Sequence, residues 1–396
     1  MTKPRLTIPI RPVAFGLPFL RLGFRPFYFG AALFGVAAML LWHGIFAGRL
    51  APVSGLAPVL WHAHEMLFGF VAAVIVGFLL TAGKAWTGLP TPRGAMLGAL
   101  FALWACARFA ALLAPYSVFF LLDVVFLPLV AALFIDLLVR AGNKRNLAIG
   151  VVLALLGVAN LMFHLAASNA IAVDPVRALY AGLALIIVLE TIIGGRVIPV
   201  FTMNATPGLK LRDARRRDLA AIVLAALGLA CWALDGPHLI TACLLGAAAV
   251  LHTVRLLSWR PWVTLRRPIL WILHLSYAWI PAGLALLAAA QMGWLPASLG
   301  VHALAVGATG GLIIGMMTRT ARGHTGRPLA ASRLETAAYV LLPLAALVRV
   351  LGPAVWPSFY MGALLLAGCL WVVAFAIYLA VYAPWLVSAR ADGKDG

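Results

Sequence analysis

The sequence has 396 residues, of which 64% are hydrophobic and only 10% charged, with a mean hydropathy of +1.04. No water-soluble domain carries that balance, and long runs with almost no charge need hydrocarbon as their solvent. The formal charge of +19 would suit nucleic acid, but its distribution along the chain excludes that partner.

The chain opens with a basic arm, residues 1–25, carrying Lys3, Arg5, Arg11, Arg21 and Arg25. The arm lacks a long apolar core and an A-x-A site, so no cleaved signal peptide is expected. Twelve apolar runs follow, near 27–46, 62–83, 95–113, 117–139, 147–168, 177–200, 218–235, 238–255, 268–290, 299–318, 336–352 and 358–385. None alternates with period two. Backbone in lipid must bond to itself, so these runs are helices and not barrel strands. The arm, every second loop and the 386–396 tail hold 25 of the 30 Lys and Arg. Odd loops and helix interiors hold only Arg49, Arg108, Arg177, Arg196 and Arg349. This positive-inside pattern puts both termini in the cytoplasm. The expected fold is all-α: one polytopic membrane domain over residues 1–396, with about 12 transmembrane helices. Cys106, Cys231, Cys243 and Cys369 are scattered, with no CxxC or CxxCH, so they read as small apolar residues and not as metal or covalent-haem ligands.

The chain also resembles itself. His64, Gly69, Gly77, Thr87-Gly88 and Pro90 match His302, Gly307, Gly315, Thr325-Gly326 and Pro328, all at an offset of 238. Helices 1–4 therefore read as a parallel repeat of helices 9–12, and sites are expected at repeat interfaces. In this reading His64 and His302 are symmetry mates near the outer face, able to present imidazoles to one centre.

His43, His62, His64, His164, His238 and His302 fall at the outer ends of helices; His252, His274 and His324 lie toward the cytoplasmic side. The sharpest local feature is Trp61-His62-Ala63-His64-Glu65. On a helix, i and i+2 point about 200° apart, so His62 and His64 share an ion only in an extended lead-in. Imidazole suits copper, iron and zinc, and Glu65 could cap the helix or hold a ligand histidine. His302 opens a helix with Ala303, Gly307, Gly311 and Gly315 at spacing four. That stripe fits either small-residue helix packing or a flat groove for a planar ligand such as haem. His274 lies about 10 Å deeper than His302, and His252 is its candidate partner. His164 sits at the level of His62 and His64. His324 is expected in a loop.

Among intramembrane charges, Arg108 and Asp123 are expected to pair, since a lone buried charge is expensive. Arg196 and Arg25 are candidates for holding haem propionates. Glu190, in mid-membrane, is either a neutral structural acid or a proton carrier.

The segments GFRPF, WHAHEMLFGF, GGRVIPVFT, RRPILWILHLSYAW and HALAVGATGGLIIGMMTRTARGHTGRP, within residues 21–385, resemble the NnrS family. The resemblance implies a bacterial inner-membrane protein with haem b and copper, linked to nitric oxide and nitrosative stress. It implies metal binding at His62 and His64, and extends to His164, His274, His302 and His324. The corresponding arrangement has His64 and His302 on one haem, with His62 and His164 holding copper nearby. The partners are then nitric oxide or a related small molecule, the bilayer and an electron donor. Whether the protein is an oxidoreductase acting on nitric oxide or its iron adducts, or a non-catalytic haem or copper sensor or delivery protein, stays open. Twelve helices with repeats also suit a secondary transporter. Against that, the loop GKAWTGLPTPRG lacks the Asp usual between the second and third helices of the major-facilitator type.

Overall fold

The computed structural model describes residues 16–51, 55–212 and 214–394. Lys3, Arg5 and Arg11 of the basic arm lie outside the described residues. The chain is 81% helical, and among the described residues there are no strands. Twelve helices run in chain order: α1 (Phe24–Phe46), α2 (Pro58–Thr87), α3 (Ala95–Leu113), α4 (Tyr116–Arg140), α5 (Leu147–Ala167), α6 (Pro175–Ala205), α7 (Arg215–Ala233), α8 (His238–Ser258), α9 (Pro268–Gln291), α10 (Ala297–His324), α11 (Arg333–Val355) and α12 (Tyr360–Val387).

Eleven of these are long and apolar enough to cross a membrane. The other is α7, whose first turn carries Arg215, Arg216, Arg217 and Asp218. Its apolar part, Leu219 to Ala233, is about 22 Å long, shorter than a bilayer core of about 30 Å.

Local chemistry sets the helix ends. Proline occupies the first turn of α2, α6 and α9, where its missing N–H costs no hydrogen bond. Asp174 caps α6 by accepting from the Val176 N–H at 2.9 Å. Ser332 and Glu335 form a reciprocal capping box on α11. Arg25, fully buried at the start of α1, donates to the carbonyls of Trp385, Leu386 and Ser388 at 3.2, 2.8 and 2.7 Å. These carbonyls at the end of α12 have no intrahelical partner, and a cation suits that end of the dipole.

The 238-residue offset recurs in the backbone. α2 becomes π-helical at Glu65–Val71, directly after His64, and α10 does so at Ala303–Gly310, directly after His302. α3 begins at Ala95 and α11 at Arg333. Thr87 donates to the Gly83 carbonyl and Thr325 to the Ala321 carbonyl, each at 2.6 Å. Gly88 and Gly326 then turn the chain at φ 71° and 74°, a region that favours glycine. α1 packs on α2 as α9 packs on α10.

One expectation changes, and one open choice is settled. The polar sequence after Thr318 suggested a loop containing His324, but α10 continues to His324. Its arginines find partners along the helix: Arg319 lies over the Phe201 ring at 3.8 Å, and Arg322 pairs with Glu335 at 2.5 Å. An apolar run marks the part of a helix in hydrocarbon, and the helix itself can go further. The Gly307, Gly311, Gly315 stripe is not an open groove. A Cβ there would meet Trp279, Ser276 and Leu273 of α9 at 2.4, 2.2 and 2.7 Å, so the small residues serve helix packing.

Candidate metal centre and histidine cavity

His62 and His64 lie on one continuous helix and face opposite ways, as the 200° argument requires. Each is the centre of a different polar site. Both sites lie at the end of the bundle formed by the C-termini of α1, α3, α5 and α11 and the N-termini of α2, α4, α6, α10 and α12.

The first site is a closed cluster between α2, α3, α4 and α5. His64 is fully buried. Its Nδ1 is 3.0 Å from Glu65 Oε1; its Nε2 is 2.9 Å from Asn160 Oδ1 and 3.3 Å from Asp123 Oδ2. His164, also fully buried, has Nε2 at 3.1 Å from the same Asp123 oxygen and Nδ1 at 3.0 Å from the Tyr116 hydroxyl. Arg108 binds Glu65 Oε2 at 2.7 Å and pairs with Asp123, so the pairing expected from sequence forms. The Asn160 amide donates to Asp123 Oδ2 at 2.6 Å, which fixes its carbonyl oxygen toward His64. Both ring nitrogens of His64 therefore face oxygen acceptors, while a neutral imidazole has one N–H. Whichever nitrogen lacks the hydrogen calls for a second proton or a metal ion.

The donor set fits a metal ion. The liganding atoms of His64, Asp123 and His164 lie within 4.8 Å of one another. The 3.1 and 3.3 Å nitrogen–oxygen edges fall in the range of roughly 2.9–3.4 Å expected between ligands of an ion with bonds of about 2.0–2.1 Å. Glu65 and Tyr116 hold the far nitrogen of each ring, the usual support for metal-bound histidine. Gly69, one turn on, leaves room for Arg108: a Cβ there would come within 2.8 Å of both the Arg108 guanidinium and Phe34. Gly69→Ala should lower stability by about 1–3 kcal/mol, read as a reduced unfolding midpoint in detergent.

The second site is a cavity of about 400 Å³, within the range of roughly 300–1,000 Å³ typical of cofactor sites. Its wall includes His43, His62, His302 and Arg349. His302 donates from Nδ1 to the Ser298 carbonyl at 2.7 Å, which leaves Nε2 as the lone-pair nitrogen. His62 stacks on Trp42, with ring centroids 4.4 Å apart. Among the described residues, neither ring nitrogen of His62 makes a hydrogen bond, and no carboxylate pairs with Arg349. The ring of His43 lies against Gly368.

The other candidates lie elsewhere. His64 is not on the cavity wall, so the structure joins His64 with His164 and His62 with His302. His274 Nε2 is 2.9 Å from the Thr202 hydroxyl. His252 contacts the Tyr277 hydroxyl at 2.7 Å and the Ala221 carbonyl at 3.1 Å, and does not pair with His274. The His324 ring packs on Phe24. Arg196 donates to Asn146 Oδ1 at 2.6 Å, and Arg25 holds the end of α12; neither lines the cavity. Sequence reasoning passed over Asn160, Tyr116, His43 and Arg349 as site residues. Arg349 carried a signal, being an arginine inside an apolar span, where a charge is costly.

Such a bundle is a multi-pass membrane protein with two polar sites at one end. A comparison with curated proteins finds no match. The NnrS protein family matches over residues 18–390, and the chain belongs to that family.

Proposed function

We propose that the protein binds haem in the histidine cavity and copper in the His64–Asp123–His164 cluster, and that it serves nitric-oxide metabolism or nitrosative-stress defence in the bacterial inner membrane, with both termini cytoplasmic. One observation carries the haem assignment. His302 has Nδ1 tied to a carbonyl, so its Nε2 lone pair is available in a cavity shared with unpaired His62 and unpaired Arg349. Imidazoles are haem ligands, and a guanidinium matches the geometry of a propionate carboxylate. This replaces the pairing of His64 with His302 on one iron.

In the cluster, Glu65 and Asp123 bring two negative charges and Arg108 one positive charge. The remaining negative charge, deep in the bundle, calls for a cation. His64 and His164 supply imidazole nitrogen, which suits copper among other metals, and copper is the metal that the resemblance noted from the sequence implies. Haem and copper would supply one-electron chemistry toward nitric oxide. The protein's own part is to place the ligands, close the site to bulk water and admit a small apolar gas that partitions into the bilayer.

The test is a haem titration of the purified, full-length protein. His302→Ala and His62→Ala should each abolish or shift the Soret band, and His64→Ala should leave it in place. A wild-type protein that takes up neither haem nor copper overturns the reading. Arg349 would then suit an anion site in a transporter.

A further inference from the structure

Among the described residues, the buried polar groups that close no hydrogen bond include Glu190 Oε2, Thr309 Oγ1 and the hydroxyls of Tyr28 and Tyr378; the Tyr28 hydroxyl lies beside Thr320. These four groups form a line. Thr309 stands on the wall of the histidine cavity. Glu190 of α6 lies beside Thr309, although their polar atoms do not close a hydrogen bond. Glu190 also faces a second cavity of about 80 Å³, which Tyr28 of α1 lines from the other side. Tyr378 of α12 is within electrostatic reach of Tyr28. Its ring stacks on Tyr382, with centroids 4.6 Å apart and planes at 13°. The Tyr382 hydroxyl donates to Glu335. Glu335 binds Arg322, which donates to the Pro328 carbonyl at 2.9 Å, at the basic end of the bundle.

Buried polar groups are nearly always satisfied, by protein or by ordered water. At about 30 Å³ per molecule, the second cavity has room for two or more waters; its wall is otherwise apolar, and Tyr28 and Glu190 are the polar side chains it offers them. Glu190 also differs from the other buried acids. Glu65, Asp123 and Glu335 each face an arginine, while among the described residues Glu190 has no ion pair. An intramembrane carboxyl without a counter-ion is costly to charge, and proton relays are among the functions such residues serve.

We propose that Glu190 is the central relay of a proton path that runs from Glu335 and Tyr382, through Tyr378, Tyr28 and water in the second cavity, to Glu190, Thr309 and the histidine cavity. Glu335, a carboxylate at rest, takes up a proton at the basic end and hands it to Tyr382; each hydroxyl, water and carboxyl beyond accepts one proton on a lone pair as it releases the one it held, and Glu335 returns to the carboxylate. One proton enters at the basic end and one arrives in the cavity, with the path itself unchanged. The use of that proton at the cavity rests on the proposed haem reading; the path does not.

The test therefore uses full-length protein without haem or metal. Infrared spectra are followed as the protein is switched from H2O to D2O. A protonated-carboxyl band should be present, absent in Glu190→Gln, and should exchange within the mixing time. Tyr28→Phe and Thr309→Val should each slow that exchange at least about tenfold. If Tyr28→Phe does not fold, Tyr378→Phe gives the same test. The path is overturned if no such band is lost in Glu190→Gln, or if its exchange is as slow as that of the α6 amides. It is equally overturned if the rate is the same in every folded variant. Loss of haem binding alone would leave these readouts unchanged.

Discussion

Arg108→Met should destabilise the protein by about 3–5 kcal/mol, the usual loss when one partner of a buried ion pair is removed. Arg108 is 4% exposed and is held by Glu65 at 2.7 Å and by Asp123. It also lies 5.9 and 5.7 Å from the ring centroids of Phe34 and Phe119. Methionine keeps much of the packing and removes the charge. In the metal-free protein, Glu65 and Asp123 would then lie on either side of His64 with no guanidinium between them. The effect should appear as a large fall in the unfolding midpoint in detergent. Glu65→Gln and Asp123→Asn, added together to Arg108→Met, should recover most of the loss, since all three charges are then gone. An Arg108→Met protein as stable as the parent would show that the pair does not hold these helices together.

What sequence conveyed well was depth. Apolar runs measured against the bilayer gave the helices, and the level of each histidine in its run set it at one end of the bundle or the other. Depth sufficed to pair Arg108 with Asp123, because the two sit at similar levels on consecutive helices. Direction around the helix axis was less legible. The 200° rule separated His62 from His64 but could not say which neighbour each would meet. That depends on α5 lying beside α2 on one side and α10 on the other, and on packing between distant parts of the chain. The repeat made His64 and His302 look like partners. Equivalent positions need not share a centre: His64 turns to α4 and α5, while His302 faces the cavity. The π-helical turns after both histidines were also invisible, since no residue pattern distinguishes Glu65–Val71 or Ala303–Gly310 from an ordinary helix. The glycine stripe on α10 left two readings open, and the bulk of Trp279 decided between them.

Copper binding should be lost when both imidazoles of the cluster are removed, and should weaken in a graded way when only their support is altered. In metal-free protein titrated with copper, His64→Ala combined with His164→Ala should abolish tight binding. The cavity should still take up haem, because His62 and His302 lie on its wall and the cluster histidines do not. Tyr116→Phe is the more discriminating variant. It removes only the hydroxyl 3.0 Å from His164 Nδ1 and leaves His64, Asp123, His164 and the Arg108 pair in place. If His164 is a ligand, losing the group that holds its far nitrogen should raise the copper Kd by about 10–100-fold, with little change in the unfolding midpoint of the metal-free protein. If His164 only fills space, Tyr116→Phe should leave the Kd unchanged. Copper bound equally tightly by the double histidine variant would place the metal outside the cluster. His64 would then carry a second proton, making it an imidazolium between Glu65, Asn160 and Asp123 and the cluster a structural ion network joining α2 to α5.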